Sequence, residues 1–248
     1  MSRIVDMNCH ILPRIDDGAQ NISCSRKMLE ISKEKGITNF VFTPHYYPER
    51  IHVSEFQENR NQAVEQIKDV VKELGIHFRV GAEVQFTPIL DIMPLKDIAI
   101  SGTKYLLLEM LPFYEPYDAE GLIRRICAAG YIPILAHIEC FSYIEQNPLL
   151  LYQWVKAGAL AQINAGYLLK DRRAKKRVIQ YYHWNLVHLM ASDMHSLIER
   201  PQNLMDAYSG LPSEVAEEFQ ANAETIFKGD IVESRSPIKP KRFWGHWK

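Results

Sequence analysis

The sequence predicts an α/β barrel of parallel strands, on three observations. Seven short apolar runs recur along 248 residues: Ile4 to Asn8, Asn39 to Thr43, Phe78 to Glu83, Tyr105 to Glu109, Ile132 to Ala136, Leu160 to Asn164 and Val187 to Ala191. Segments of helical periodicity separate them, and such strand-helix-strand crossovers force a parallel sheet. The turn after the first run reads His10-Ile11-Leu12-Pro13, where an open nucleotide-binding sheet would carry a glycine-rich turn.

Each element follows in order. After the first run, Ser25 to Lys35 sets Met28, Leu29 and Ile31 among charged residues and stops at Gly36, a helix-ending residue. After the second, Glu55 to Leu74 aligns Val64, Ile67, Val71 and Leu74 on one stripe and stops at Gly75. Ala119 to Ala129, before Gly130, follows the fourth run, and Leu149 to Ala157, before Gly158, follows the fifth. Arg172 to Tyr182 precedes the seventh, and Pro201 to Leu211 and Pro212 to Phe227 close the chain. Phe40 to Phe42, Tyr105 to Leu108 and Ile132 to Leu135 are continuously apolar, as in strands covered on both faces. No composition shift marks a second domain, so residues 1–248 read as one domain with a short basic, aromatic tail from about residue 235.

Composition excludes several classes. A net charge of -1 favours neither nucleic acid nor an anionic membrane. No apolar stretch approaches the roughly 18 residues of a spanning helix, and no leader precedes the first run, so a cytoplasmic location without membrane insertion is expected. Cys9, Cys24, Cys127 and Cys140 show neither a CxxC pair nor zinc spacing.

The chemistry lies at the ends of the runs. At or just past them stand Asn8, His10, His45, Glu83, Glu109, His137, Asn164, Asp193 and His195. In a barrel the carboxyl ends of the strands meet at one face, where working residues sit. Imidazoles gathered with several carboxylates suit a divalent cation and are costly to assemble without one. Asn8-Cys9-His10 and Asp193-Met194-His195 place two such side chains at alternate positions, on one face of an extended chain. By itself Asp16-Asp17-Gly18 reads as a turn, and Asp16, Glu139 and His188 read as supporting or surface residues. Tyr46, Tyr47, Phe113, Tyr114 and Tyr117 follow site strands and can pack on a phenyl ring.

The ordered blocks DxNCH, DDG, TPH, GAE, LLLE, AHIE, QINAG and ASDMH span about the first 200 positions. Together they resemble the polymerase-and-histidinol-phosphatase (PHP) superfamily, and within it the bacterial manganese-dependent protein-tyrosine phosphatases of capsule and exopolysaccharide clusters. The resemblance implies a distorted (β/α)7 TIM-like barrel holding up to three divalent ions, manganese first, with iron, zinc or magnesium as alternatives. One ion would be held at Asn8, His10, Glu83 and Asp193, a second between Glu83, Glu109 and His137, and a third at Asp17, His45 and His195. His45, His195 and a phosphate-gripping Arg200 would carry the reaction. The implied substrate is a tyrosine-phosphorylated bacterial kinase, or its tyrosine-rich tail, controlling polysaccharide synthesis; some members form rings, so a homo-oligomer is a further expectation.

Two positions depart from the family pattern. Asn8 replaces a histidine, and an amide oxygen is a weaker donor than imidazole toward manganese, iron or zinc. Cys140 replaces an arginine, and a thiol makes no charge-assisted contact to phosphate. A catalytically weakened regulator on the same scaffold, or a phosphoesterase of small molecules, are therefore the alternatives.

Overall fold

The computed structural model describes residues 4–111, 113–243 and 246–247, excluding the side chains of residues 243 and 246. Its core is a curled parallel sheet in two hydrogen-bonded pieces. β1 (Val5–Cys9), β2 (Asn39–Phe42), β3 (His45–Tyr46), β4 (His77–Val80) and β5 (Glu83–Gln85) come first. β6 (Tyr105–Glu109), β7 (Ile132–Leu135), β8 (Leu160–Asn164) and β9 (Leu189–Ala191) follow. One piece runs β1-β2-β4 and the other β3-β5-β6-β7-β8-β9.

The third expected run is thus broken in two, and the second is followed by a further short strand that lay beyond it. Pro44 has no N–H to give a ladder and interrupts the path from β2 to β3, while Gly81 and Ala82 separate β4 from β5. The paths stay side by side across the breaks, because Gly81 N donates to Phe42 O (2.9 Å) and Glu83 N to Pro44 O (3.0 Å). His45 consequently stands opposite Glu83, and Gln85 opposite Glu109. At the other edge the end of β1 meets the segment after β9, where Asp193 N donates to Asn8 O (3.0 Å) and His10 N to Met194 O (2.8 Å).

β1 carries an irregularity that matters for the site. Asp6 pairs with Phe40 and Cys9 with Phe42, leaving Met7 and Asn8 together opposite Val41. Such a bulge re-aims side chains and is common beside functional sites. Val41 and Met7 belong to the inner apolar cluster with Leu107, Ile134 and Leu189, whereas Phe40, Phe42 and Cys9 face the outer layer of helices.

Helices cover the outside much as the periodicity predicts, with shifted ends. Asn21 caps the first, Ile22–Glu34, by accepting from Cys24 N (2.9 Å), so it starts three residues before the expected Ser25. The second, Val53–Leu74, ends on Gly75 in the left-handed conformation (φ 67°). Two short helices, Ser142–Gln146 and Ala165–Lys170, lacked a periodic signal because each spans under two turns. The described part of the tail forms an antiparallel pair, β10 (Arg242–Phe243) and β11 (His246–Trp247). Trp247 bonds back to Gln146 O (3.2 Å) and accepts from Gln180 (2.8 Å). Residues 244, 245 and 248 of that tail lie outside the described residues. Among the described residues no helix is long and apolar enough to cross a membrane.

His188, just before β9, is buried and accepts from Ala161 N (3.0 Å) through Nδ1. Burial, then the charge of Arg235, lowers its pKa to about 4, so the folded chain holds it neutral while the unfolded chain protonates near 6.5. That contribution is fully present above the unfolded value and is lost as pH falls toward the folded one. Urea unfolding is expected to lose about 2–3 kcal/mol from this residue between pH 7 and pH 4.5. His188→Gln should flatten that limb; an unchanged pH dependence would exclude His188 as its source.

Candidate metal centre

The ends of β1 and β6, the first residues of β3 and β5, and the turns after β7 and β9 bring polar side chains to a common place. β1 supplies Asn8 and leads to His10, β3 supplies His45, β5 Glu83 and β6 Glu109. His137 follows β7, and Asp193 and His195 follow β9. Ligand atoms of His10, Asp17, His45 and His195 lie within 4.8 Å of one another; so do those of His10, Glu83 and Asp193, and those of Glu83, Glu109 and His137. Glu83 belongs to two groups: Oε2 lies 3.0 Å from His10 Nε2, and Oε1 lies 2.7 Å from His137 Nε2. His10 and His195 stack at 3.6 Å between ring centroids, with the His45 ring 4.5 Å from His10.

Backbone conformation aims two of these groups. His137 (φ 30°) and Asp193 (φ 54°) both sit in the left-handed region, which costs a non-glycine residue about 1–3 kcal/mol. Gln162 Oε1 accepts from His137 N (3.2 Å) and Asn8 O from Asp193 N (3.0 Å), so both strained turns are tied to neighbouring strands. The Asp16-Asp17-Gly18 turn is pressed against β1. A Cβ on Gly18 would lie 2.1 Å from His10 O, so only glycine lets the turn come this close.

Asp16, read from sequence as supporting or surface, proves central to the arrangement. Its carboxylate accepts from His10 Nδ1 (2.7 Å), His45 N (3.0 Å) and Gly18 N (2.9 Å). Holding Nδ1 turns His10 Nε2 toward Glu83 and Asp193, the arrangement that orients metal-bound histidines. Glu139 is the second residue that sequence reasoning undervalued; it accepts from Asn164 N (3.0 Å) and leaves its other oxygen buried without a partner. Neither position ends an apolar run, so strand-end logic had no purchase on them. Asn164 supports the pocket as expected, donating to Asp193 Oδ2 (2.6 Å).

The electrostatics of the cluster are set by burial and by close contact between imidazoles and carboxylates. Burial disfavours a charged His10, yet Asp16 and Glu83 outweigh it and push its pKa up to about 10. His137 is likewise raised, with the charge of Glu83 overcoming burial. Burial, then the charge on His10, lowers His45 and takes His195 to about 4. Burial and the neighbouring Glu83 raise Glu109 to about 7. His45 Nδ1, Asp193 Oδ1 and His195 Nε2 are buried without hydrogen-bond partners, at a cost of about 1–3 kcal/mol each that coordination would remove. Imidazole nitrogens mixed with carboxylate oxygens fit manganese, iron or zinc.

Arg200 reaches the rim, with Nη2 bonded to Asp193 Oδ2 and Nη1 4.0 Å from Asp17 Oδ2. Cys140 is exposed and brings no cation to the site. A cleft of about 390 Å³, lined by Asp16, Asp17, His45, Tyr47, Ile51 and Phe56, opens at the cluster. Of the aromatics expected to meet a phenyl ring, Tyr47 alone lines this cleft, stacked 5.7 Å from His45. Tyr46 is instead buried against Phe56, and Phe113, Tyr114 and Tyr117 stand 81%, 74% and 94% exposed. Tyr46 ends β3 and Tyr47 follows it, and the two adjacent side chains point to opposite sides, one to the core and one to the cleft.

Residues 4–228 match the family model described as capsular polysaccharide synthesis, CpsB/CapC. The chain belongs to the CpsB/CapC family. Tyrosine-protein phosphatase YwqE of Bacillus subtilis (strain 168) is 30% identical over 253 residues, covering 98% of this chain and 99% of the relative. Tyrosine-protein phosphatase CpsB of Streptococcus pneumoniae is 29% identical over 216 residues, covering 83% and 88%. A solved chain among the structures of YwqE from Bacillus subtilis and CpsB from Streptococcus pneumoniae, described as unique metal-dependent tyrosine phosphatases, superposes with a TM-score of 0.86. Its identity is 28%, over 96% of this chain and 100% of that one. The lactonase Lmo2620 from Listeria monocytogenes, at TM-score 0.53 and 12% identity over 92% and 95%, shares the fold alone. Within CpsB/CapC, then, this chain carries its candidate ligands on a curled parallel sheet.

Proposed function

We propose that this chain is a metal-dependent phosphotyrosine phosphatase acting on a protein. The observation that carries the reading is Glu83, a fully buried carboxylate shared by two of three convergent ligand groups. Family membership and the YwqE and CpsB relatives support the same activity. His10, Glu83 and Asp193 would hold one ion, Glu83, Glu109 and His137 a second, and Asp17, His45 and His195 a third, with Asn8 beside the first. Bound ions, manganese foremost, would neutralise the phosphate oxygens, activate water and stabilise the departing phenolate.

The protein's own groups divide the remaining work. Arg200, whose side chain is 43% exposed, can exchange its bond to Asp193 for the arriving phosphate. Asp16 keeps His10 in the orientation that faces the site, while His45 and His195 present unpartnered nitrogens to it. Tyr47, Ile51 and Phe56 offer an apolar wall for the ring of phosphotyrosine.

The proposal extends to setting. A tyrosine-phosphorylated kinase of capsule or exopolysaccharide synthesis, or its tyrosine-rich tail, is the substrate we infer, in the cytoplasm. Four free cysteines and an absent spanning helix among the described residues agree with that location. The nine strands form seven paths, read as a distorted (β/α)7 barrel in a single domain with a terminal tail, and a homo-oligomer is part of the same reading.

Purified chain with added manganese tests the activity on a phosphotyrosine peptide and, separately, on histidinol phosphate. Peptide turnover is expected, with Arg200→Ala lowering kcat/KM about a hundredfold. A manganese-loaded chain that cleaves only histidinol phosphate, or neither compound, refutes the proposal.

A further inference from the structure

Asn8 is fully buried with both ends of its amide in use. Thr43 Oγ1 donates to Asn8 Oδ1 at 2.5 Å, and Asn8 Nδ2 donates to Glu83 Oε2 at 3.2 Å. The orientation of the amide follows from its neighbours. Thr43 Oγ1 accepts from Cys9 N (3.0 Å), and its single hydrogen has Asn8 Oδ1 at 2.5 Å against Cys9 O at 3.5 Å, so the shorter contact takes it. Turning the amide over would set its oxygen 3.2 Å from the Glu83 carboxylate, acceptor against acceptor. The end of Asn8 that faces the cluster is therefore a donor, and a donor cannot ligate a cation.

We propose that Asn8 is a hydrogen-bond clamp on the shared carboxylate of Glu83 and not a metal ligand, so the ion at His10, Glu83 and Asp193 has three protein ligands. This rests on the metal-centre reading and sharpens it. The β1 bulge that leaves Met7 and Asn8 opposite Val41 brings the amide within reach of Glu83. Thr43, at the end of β2, locks it there. Two consequences follow. Coordination positions that a fourth side chain would occupy stay open to water or a phosphate oxygen. The orientation of Glu83, and with it both ions that share this residue, depends on a neutral donor.

Titration of the metal-free chain with manganese, following stepwise dissociation constants by calorimetry and ion content by elemental analysis, tests this without any measure of catalysis. Asn8→Ala is expected to weaken the two ions sharing Glu83 together, by about tenfold, the size of effect seen when a supporting partner of a ligand is lost. Asn8→Asp, which puts an anionic oxygen where the donor stood, is expected to tighten a single ion and to lower the melting temperature of the metal-free chain through repulsion with Glu83. Loss of one ion alone in Asn8→Ala, with the others unmoved, would show the amide oxygen to be a ligand and overturn the clamp. Unchanged constants in Asn8→Ala, or no tightening in Asn8→Asp, overturn it equally. Should wild type bind no manganese, the metal-centre reading fails first, an outcome separate from these. If Asn8→Asp does not fold, the pattern in Asn8→Ala decides.

Discussion

Glu83→Gln is expected to lower kcat/KM on a phosphotyrosine peptide by about a thousandfold or more, equivalent to about 4 kcal/mol of lost transition-state stabilisation. Glutamine keeps the shape of the side chain, so the effect isolates charge and donor chemistry. Glu83 is completely buried, and its pKa lies well below the usual carboxylate range: burial opposes ionisation, but His137 and His10 outweigh it. Both oxygens are committed, one toward His10 and the other toward His137. An amide retains one acceptor and turns an N–H toward the other partner, so two ligand groups are damaged by one substitution. Bound manganese should fall with the rate. A variant that keeps both its ions and its activity would remove Glu83 from the role of shared ligand.

Asp6→Ala is expected to be the most damaging change outside the ligand groups, destabilising the chain by about 3–5 kcal/mol. Asp6 is completely buried and accepts from Ser192 N (2.9 Å), Ser192 Oγ (2.5 Å) and Gln202 Nε2 (2.8 Å). Alanine strands both Ser192 donors away from water and leaves Gln202 Nε2 only its longer bond to Ser32 Oγ (3.4 Å). Ser192 Oγ in turn accepts from Met194 N (3.0 Å), so the same network shapes the turn presenting Asp193 and His195. Manganese affinity is expected to drop about tenfold to a hundredfold along with stability. The urea midpoint and a manganese titration check both parts. A loss below about 1 kcal/mol would mean that the loop holds itself.

The strand ends were legible because apolar runs followed by His, Glu or Asp recur along the chain, and that repetition, more than any one residue, points to a shared site. His10, His45, Glu83, Glu109, His137, Asp193 and His195 all arise from it, and the structure gathers them. Asp17 came through the resemblance, and the structure sets its carboxylate 3.5 Å from His45 and 3.4 Å from His195. Asp16 did not emerge, because a residue that orients a ligand through Nδ1 leaves no periodic trace. Tyr46 and Tyr47 were indistinguishable as neighbours in sequence, and only their opposite directions at the end of β3 separate a core ring from a cleft wall.

By itself the sequence determined the parallel α/β architecture, the order of its elements and the residue types that meet at one end of the sheet. These are properties of local periodicity and of composition at strand ends, which a linear chain carries directly. Tertiary structure alone decided that Asp16 grips His10 and that the amide of Asn8 turns its donor to Glu83. Each depends on partners between 6 and 75 residues away, and hydrogen-bond direction at a buried amide is set by those partners rather than by its neighbours in sequence.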